Sequence, residues 1–292
     1  MLRLVLPKGS LEANTFKLFE EADLPVRRGS DREYDARIDD PRIGQVKILR
    51  PQEIPVYVQR GYFDLGITGQ DWIEETASEV EEVMVLDYNK QSIGRPVRIV
   101  LAVPNESGVT EPRQMKPWSR ISTEYPQLTA RFFHQLGVAV EVLPSYGATE
   151  AKVPEIADAI VDVTETGSSL RKHGMRIIAT LLESKTKLIA NKEAYADPER
   201  YREIQEIRTL LSGVLSARGK VLIKLNVSED KLNDVIAVLP AMKTPTVSRL
   251  YGEAYYAVET VVVKSEINLL IPELKARGAE DILELPISKI VP

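Results

Sequence analysis

Four times within its first 170 residues this chain runs a strand-like apolar segment into a turn of small, hydroxyl or cationic residues and then into a helical pattern. The turns lie in Leu6-Pro-Lys-Gly-Ser-Leu11, Ile48-Leu-Arg-Pro-Gln-Glu-Ile54, Asp64-Leu-Gly-Ile-Thr-Gly-Gln-Asp71 and, longest, Asp158-Ala-Ile-Val-Asp-Val-Thr-Glu-Thr-Gly-Ser-Ser-Leu170. Strands separated by helices of this length need crossover connections, so the repeat predicts an α/β chain with parallel strands covered on both faces. Sheets of that kind take ligands outside the carboxyl ends of their strands, which is where these turns fall.

In the first half, strands are expected at 2–6, 45–49 and 64–68, with helices at 11–22, 51–60 (Pro51 in its first turn) and 69–75. A second run begins near Arg98, with strands at 99–103, 120–122, 138–143 and 159–163 and helices at 127–136 and 151–157. The polar stretch 89–96 fits a crossover, and strands at 176–183 and 187–190 fit a return to the first lobe. This divides the chain into lobe I (1–90 plus about 184–218) and lobe II (91–183), with a cleft between them for a ligand. The helix at 198–217 is the clearest, with Ile204, Ile207, Leu211, Val214 and Leu215 at helical spacing and Gly219 as its stop. Beyond it come a strand (221–227), a helix capped by Ser228 (229–239), two strands (246–250, 254–263), a helix ended by Gly278 (266–276) and a strand (281–285). That β-α-β-β-α-β order is the ferredoxin-like split motif, expected as a separate domain at 219–292.

Composition removes several kinds of chemistry. The chain has no cysteine, which excludes disulfides, thiolate metal sites and a thiol nucleophile. Its two histidines, His134 in a helical stretch and His173 after Arg171-Lys172, assemble neither a multi-histidine metal cage nor a Ser-His-Asp triad. A net charge of −5 without a long basic run argues against nucleic acid as partner. No apolar run reaches the roughly 18 residues of a membrane span, and the apolar start is too short for a secretory signal, so no membrane and a cytoplasmic location are expected. Neither a Walker A pattern nor a G-x-G-x-x-G run is present, so phosphate binding needs another solution.

The turns offer one. Hydroxyl residues around a glycine at a strand-to-helix turn leave backbone N–H groups for an anion, and the helix N-terminus adds partial positive charge. Glu165, Thr166, Gly167, Ser168 and Ser169 form such a turn, with Asp158 and Asp162 upstream for ribose hydroxyls or a cation. The plainer reading is a capped helix after a buried strand. Lys8 beside Gly9 and Ser10 is a second candidate anion site, or a solvated lysine at a strand end. Arg50 ends a strand, and Thr68, Gly69 and Asp71 repeat the design or simply cap a helix.

On these residues the chain resembles the long form of the ATP phosphoribosyltransferase family, the first enzyme of histidine biosynthesis, over essentially its full length. The resemblance rests on Leu6-Pro-Lys-Gly-Ser-Leu11, Leu49-Arg-Pro-Gln-Glu-Ile54, Asp64-Leu-Gly-Ile-Thr-Gly69, Ile121-Ser-Thr-Glu-Tyr-Pro126, Tyr146-Gly-Ala-Thr-Glu150 and above all the segment from Ala157 to Leu170. Two departures stand out. Ser169 replaces a common threonine, which keeps the hydroxyl, and Gly147-Ala-Thr-Glu150 replaces a commoner Gly-Ser-Val-Glu, which weakens the transfer of roles there.

The resemblance implies a two-lobed, periplasmic-binding-protein-like catalytic part and an ACT-like ferredoxin-like regulatory domain. It implies transfer of the 5-phosphoribosyl group of phosphoribosyl pyrophosphate to N1 of ATP, with Mg2+ held mainly by substrate phosphates. Under it, Asp162, Lys8 and Arg50 are the catalytic candidates, serving ribose hydroxyls and the pyrophosphate or ATP phosphates. Thr166 to Ser169 take the 5-phosphate, while Asp158, Glu165, Thr68, Gly69, Thr149 and Glu150 complete the substrate set. Free histidine as inhibitor would meet Asn226, Thr246 and Ser248, and the assembly would be a homo-oligomer, dimer to hexamer. Two rivals remain: a two-lobed small-molecule-binding protein or regulator without catalysis, and a phosphoribosyltransferase acting on another base.

Overall fold

The computed structural model describes residues 1–87, 97–240, 244–252 and 254–291; the expected crossover at 89–96 lies outside them. β1 (Leu2–Pro7) leads into α1 (Glu12–Glu21), followed by β2 (Asp35–Ala36), β3 (Ile43–Leu49), α2 (Ile54–Gln59), β4 (Leu65–Gly69), α3 (Gln70–Thr76) and β5 (Glu81–Leu86). Next come β6 (Val97–Pro104), β7 (Ser119–Thr123), α4 (Pro126–Leu136), β8 (Val140–Pro144), β9 (Ala159–Thr164) and α5 (Ser168–Lys172). β10 (Met175–Ser184), β11 (Thr186–Ala190), α6 (Lys192–Ala196) and α7 (Pro198–Ala217) follow. The chain ends with β12 (Lys220–Ser228), α8 (Leu232–Ile236), β13 (Thr246–Arg249), β14 (Tyr255–Val263), α9 (Ile267–Ala276) and β15 (Ala279–Pro286).

The strands form three sheets, ordered β2-β3-β1-β4-β11-β5, β10-β6-β9-β7-β8 and β13-β14-β12-β15. The chain divides into two compact units, one of Met1–Lys17 with Leu24–Glu206 and one of Leu18–Asp23 with Ile207–Pro292. The first unit holds the first two sheets. Neither is wholly parallel, contrary to the expectation from the repeat. β1 is parallel to β3 and β4, and β7 to β8 and β9, but β11 runs against β4 and β5 while β6 runs against β9 and β10. The register gives the reason. Thr186, which opens β11, sits opposite Gly69 at the carboxyl end of β4, and Arg98, near the start of β6, sits opposite Thr164 at the carboxyl end of β9. A strand that enters a sheet at that end must run antiparallel to its neighbours. β10 accordingly stays in the second sheet, and only β11 returns to the first.

Three expected helices are shorter than their patterns. Residues 149–152 form one 3-10 turn and no α-helix follows, because Pro154 supplies no N–H and disfavours helical backbone before it. α2 begins at Ile54 rather than Pro51, with Pro55 in its first turn. Ser228 caps nothing at the start of α8: it remains in β12, paired with Tyr255. β5 carried no clear signal, since Glu81 and Glu82 open it.

Packing follows the apolar periods. On the second sheet Ile99, Leu101, Val103, Ala159 and Val161 are buried with Phe133 and Tyr125, whereas Val100, Ala102 and Ile160 face Leu170 and Met175. Each large aliphatic side chain buried in this way contributes roughly 1.5–3 kcal/mol. In the second unit β12 turns Val221, Ile223, Leu225 and Val227 inward, onto Val235 of α8 and Ile267, Leu270 and Leu274 of α9. Its order, β12-α8-β13-β14-α9-β15, is the ferredoxin-like β-α-β-β-α-β.

Candidate active site

The turn after β9 is built around Gly167, whose φ of +72° is left-handed backbone that favours glycine. Space is equally restrictive there. A Cβ on Gly167 would stand 3.0 Å from Arg171 Nη1 and 3.2 Å from Ile177 Cδ1. Gly167 N donates to Thr164 Oγ1 (2.8 Å), so this amide is spent on shaping the turn and is not offered to a ligand. Arg171 donates to the Thr166 carbonyl (3.0 Å) from behind. Ser169 Oγ donates to Glu150 Oε1 (3.2 Å), tying the 145–150 loop to the start of α5. The hydroxyls of Thr166 and Ser168 meet each other at 3.1 Å on the exposed side. His173 closes α5, its Nδ1 3.0 Å from the Ser169 carbonyl, in line with a helix-terminal role.

Asp162 lies two residues before the end of β9, and its Oδ1 accepts from Val163 N (2.7 Å). Burial, with added repulsion from Glu150 and Glu124, pushes its carboxyl up to about 6. Three carboxylates therefore share one electrostatic neighbourhood at the carboxyl ends of β7 and β9. Glu124 was not singled out from the sequence, although it stands in the Ile121–Pro126 motif directly after β7.

On the first sheet the turns after β1 and β3 converge. Lys8 N donates to the Leu49 carbonyl (2.7 Å), and a Cβ on Gly9 would lie 3.9 Å from Arg50 Nη1. The Lys8 ammonium rests 4.3 Å from the ring centroid of the exposed Tyr34. Lys8 and Arg50 thus form one cationic patch at adjacent strand ends, which suits a polyphosphate.

The ATP phosphoribosyltransferase family model matches residues 50–213, and the model of its C-terminal domain matches 217–289. The chain is 47% identical over 291 residues to the ATP phosphoribosyltransferase of Desulforudis audaxviator, covering 100% of this chain and 99% of that one. It is 46% identical over 293 residues to that of Pelotomaculum thermopropionicum, with the same coverage. The chain belongs to the ATP phosphoribosyltransferase family. Among solved structures, the ATP phosphoribosyl transferase (HisG:HisZ) complex from Thermotoga maritima matches with a TM-score of 0.62 and 25% identity, over 72% of this chain and 96% of that one.

Not every expected residue of this ATP phosphoribosyltransferase family member reaches the site. Asp158 precedes β9, at the end of the strand opposite the turn, and is held by Arg120 through its side chain (3.0 Å) and its backbone N–H (2.8 Å). The Arg120 guanidinium keeps its carboxyl below the usual range. Asp64 does the same before β4, accepting from Arg3 N (2.8 Å) and Arg3 Nη2 (2.8 Å). The two lobes thus repeat one structural device, and Asp158 is assigned to it rather than to ribose. Thr149 is buried, its hydroxyl 2.9 Å from Ser145 Oγ, and serves the loop rather than a ligand. Thr68 is likewise buried and donates to the Pro51 carbonyl (2.8 Å), fixing the Arg50 turn from below. Gly69 admits the Asp71 carboxylate, which a Cβ would meet at 2.0 Å.

In the C-terminal sheet, Ala257 of β14 pairs with both Asn226 of β12 and Ser248 of β13, so these two lie in one row on one face. Thr246 pairs with Glu259, which also pairs with Lys224, placing it on the same polar face one row along. Thr246 and Glu259 line a cavity of about 510 Å³ that Asn226 and Ser248 do not line. Asn226 donates to Asp281 Oδ2 (3.0 Å).

Proposed function

We propose that this chain transfers the 5-phosphoribosyl group of phosphoribosyl pyrophosphate to N1 of ATP, releasing pyrophosphate, as the first step of histidine biosynthesis. The observation that carries the reading is the Gly167 turn set five residues beyond the half-buried Asp162, just past the end of β9. Departure of pyrophosphate leaves an oxocarbenium-like centre, which needs alignment and charge stabilisation rather than a covalent nucleophile. The Thr166–Ser169 turn takes the 5-phosphate, Asp162 holds the ribose hydroxyls with Glu150 and Glu124 beside it, and Lys8 with Arg50 takes the pyrophosphate or ATP phosphates. Mixing ATP, phosphoribosyl pyrophosphate and Mg2+ with the full chain should give the absorbance change of phosphoribosyl-ATP. No change with ATP, but turnover with another base, would favour the other-base rival.

Mg2+ belongs to this reading: held mainly by the substrate's phosphates, it would offset the negative charge of the departing pyrophosphate. The oxygen-only, acidic surroundings of Asp162 suit a hard cation. Among the described residues no group of three or more His, Cys, Asp or Glu side chains is placed to hold a metal; in this reading the substrate's own phosphates would be its main ligands. No described helix is long and apolar enough to cross a membrane, and a cytoplasmic location belongs to the same proposal.

Histidine inhibition through the C-terminal sheet is part of the same reading, supported by the row that joins Asn226 and Ser248. Inhibition requires the effector to favour a less active arrangement. Histidine is expected to slow the full chain, and Asn226→Ala combined with Ser248→Ala to raise the half-inhibitory concentration about tenfold while the uninhibited rate stays within about twofold. Unaltered inhibition in that variant would move the effector site elsewhere. A dimer-to-hexamer assembly is proposed with it, since β13 is an edge strand whose four residues are all exposed; light scattering with and without histidine tests it.

A further inference from the structure

Asp71, in the first turn of α3, is buried, and its carboxylate joins three segments of the first unit. Its Oδ1 accepts from Ser184 Oγ (2.6 Å), its Oδ2 accepts from Tyr125 Oη (2.9 Å), and its backbone N–H donates to Ser184 Oγ (3.2 Å). Ser184 ends β10 and lies just before β11, where the chain passes from one sheet to the other. Tyr125 stands between β7 and α4, directly after Glu124. Its ring stacks on Trp72 of α3 at 4.6 Å and 28°. One helical turn further, the buried Glu75 accepts from the N–H groups of Gln127 (2.9 Å) and Leu128 (2.8 Å), so a lobe I carboxylate caps a lobe II helix.

These bonds sit beside the proposed chemistry. Asp71 lies two residues after Gly69, and burial together with the negative field of Asp71, Glu124 and Asp162 holds the Tyr125 phenol far above its ordinary range. It remains a hydrogen-bond donor at every working pH. A buried hydroxyl-to-carboxylate hydrogen bond is short and directional and does not stretch freely.

We infer that Asp71 and Tyr125 are positioning residues, forming with Ser184 a latch that sets the separation between the cationic turns of lobe I and the Gly167 turn of lobe II. The inference rests on reading the Gly167 turn as the 5-phosphate site. Transfer needs the attacking nitrogen and C1 of the ribose within about 3–3.5 Å, and a displacement of about 1 Å costs on the order of a hundredfold in rate. Substrates held by different lobes inherit any looseness in the joint.

Tyr125→Phe tests this, because it deletes one hydroxyl and keeps the ring on Trp72. Calorimetric titration with phosphoribosyl pyrophosphate and Mg2+ should give a dissociation constant within about twofold of the unaltered chain, since the donor's 5-phosphate and ribose are both held by lobe II, whereas kcat should fall at least about tenfold. Ser184→Ala should show the same split, and Tyr125→Phe combined with Asp71→Asn should cost less in kcat than the product of the single losses. Retained kcat in both Tyr125→Phe and Ser184→Ala would overturn the latch alone. Donor affinity falling in parallel with kcat in both would also overturn it, marking a merely structural contact. An unaltered chain that binds no donor would overturn the phosphate-turn reading and this proposal with it.

Discussion

Gly167→Pro is expected to lower turnover by at least about a hundredfold, with the two sheets of the first unit still folded. The turn needs φ = +72° at this position, and proline fixes φ near −65°. Proline also deletes the N–H that Thr164 Oγ1 accepts at 2.8 Å, and its ring would press on Arg171 and Ile177. The turn must rebuild, and every donor aimed at the 5-phosphate moves with it. The damage stays local because Gly167 follows the last strand residue and the β9 ladder to β6 ends at Thr164. Initial rates, donor titration and far-ultraviolet circular dichroism separate the outcomes. A Gly167→Pro chain that keeps its secondary structure and binds phosphoribosyl pyrophosphate as before would refute the assignment of this turn.

Asp162→Asn is expected to lose activity and gain stability at once. Replacing an ionised group that meets developing charge at the ribose costs about a hundredfold to a thousandfold in kcat. Burial resists ionisation of this carboxyl, whose folded value is about 6 against an unfolded value of about 3.9. A raised folded value means that the stability the group contributes is fully present below pH of about 3.9 and is lost as pH rises through about 6. At pH 7 the penalty is on the order of 2 kcal/mol, and asparagine removes it. The variant should therefore melt higher than the parent at pH 7 and at nearly the same temperature near pH 4. In the parent, donor affinity should weaken as pH falls through about 6, because the protonated acid no longer accepts two ribose hydroxyls; the Asp162→Asn profile should be flat there. A parent whose affinity stays level across that range would remove Asp162 from the ribose.

Much of this was readable from residue order. The apolar runs around Leu4, Ile67 and Val161 and the glycine-hydroxyl turns after them placed the strand ends to within a residue, because burial on both faces, and at Gly9 and Gly167 a left-handed turn, leave strong local marks. Strand direction was not readable at β6 and β11, since direction depends on where a crossover enters a sheet, not on the residues within the strand. Asp158 looks like a ligand in sequence, whereas Asp64, which opens the corresponding segment of the first lobe, was not singled out. Only the neighbouring strand shows Arg3 and Arg120 occupying them. Asp71 is the opposite case: in sequence it reads as a ligand-turn residue or a helix cap, and its partners Tyr125 and Ser184 lie 54 and 113 positions away. Glu124 carries no periodic signal of its own; it becomes relevant because β7 and β9 are adjacent and parallel.

The placement of β11 between β4 and β5 has a consequence for how the chain is made. Among the described residues β5 joins its sheet through β11 alone, yet about a hundred residues separate the two in sequence. On the ribosome, β5 therefore emerges long before its neighbour β11 exists, and the edge that β11 pairs with stays unsheltered until Ala190 has cleared the exit tunnel. The N-terminal sheet is consequently finished after the lobe that follows it, so a nascent chain halted within β10 is the form most exposed to misassociation.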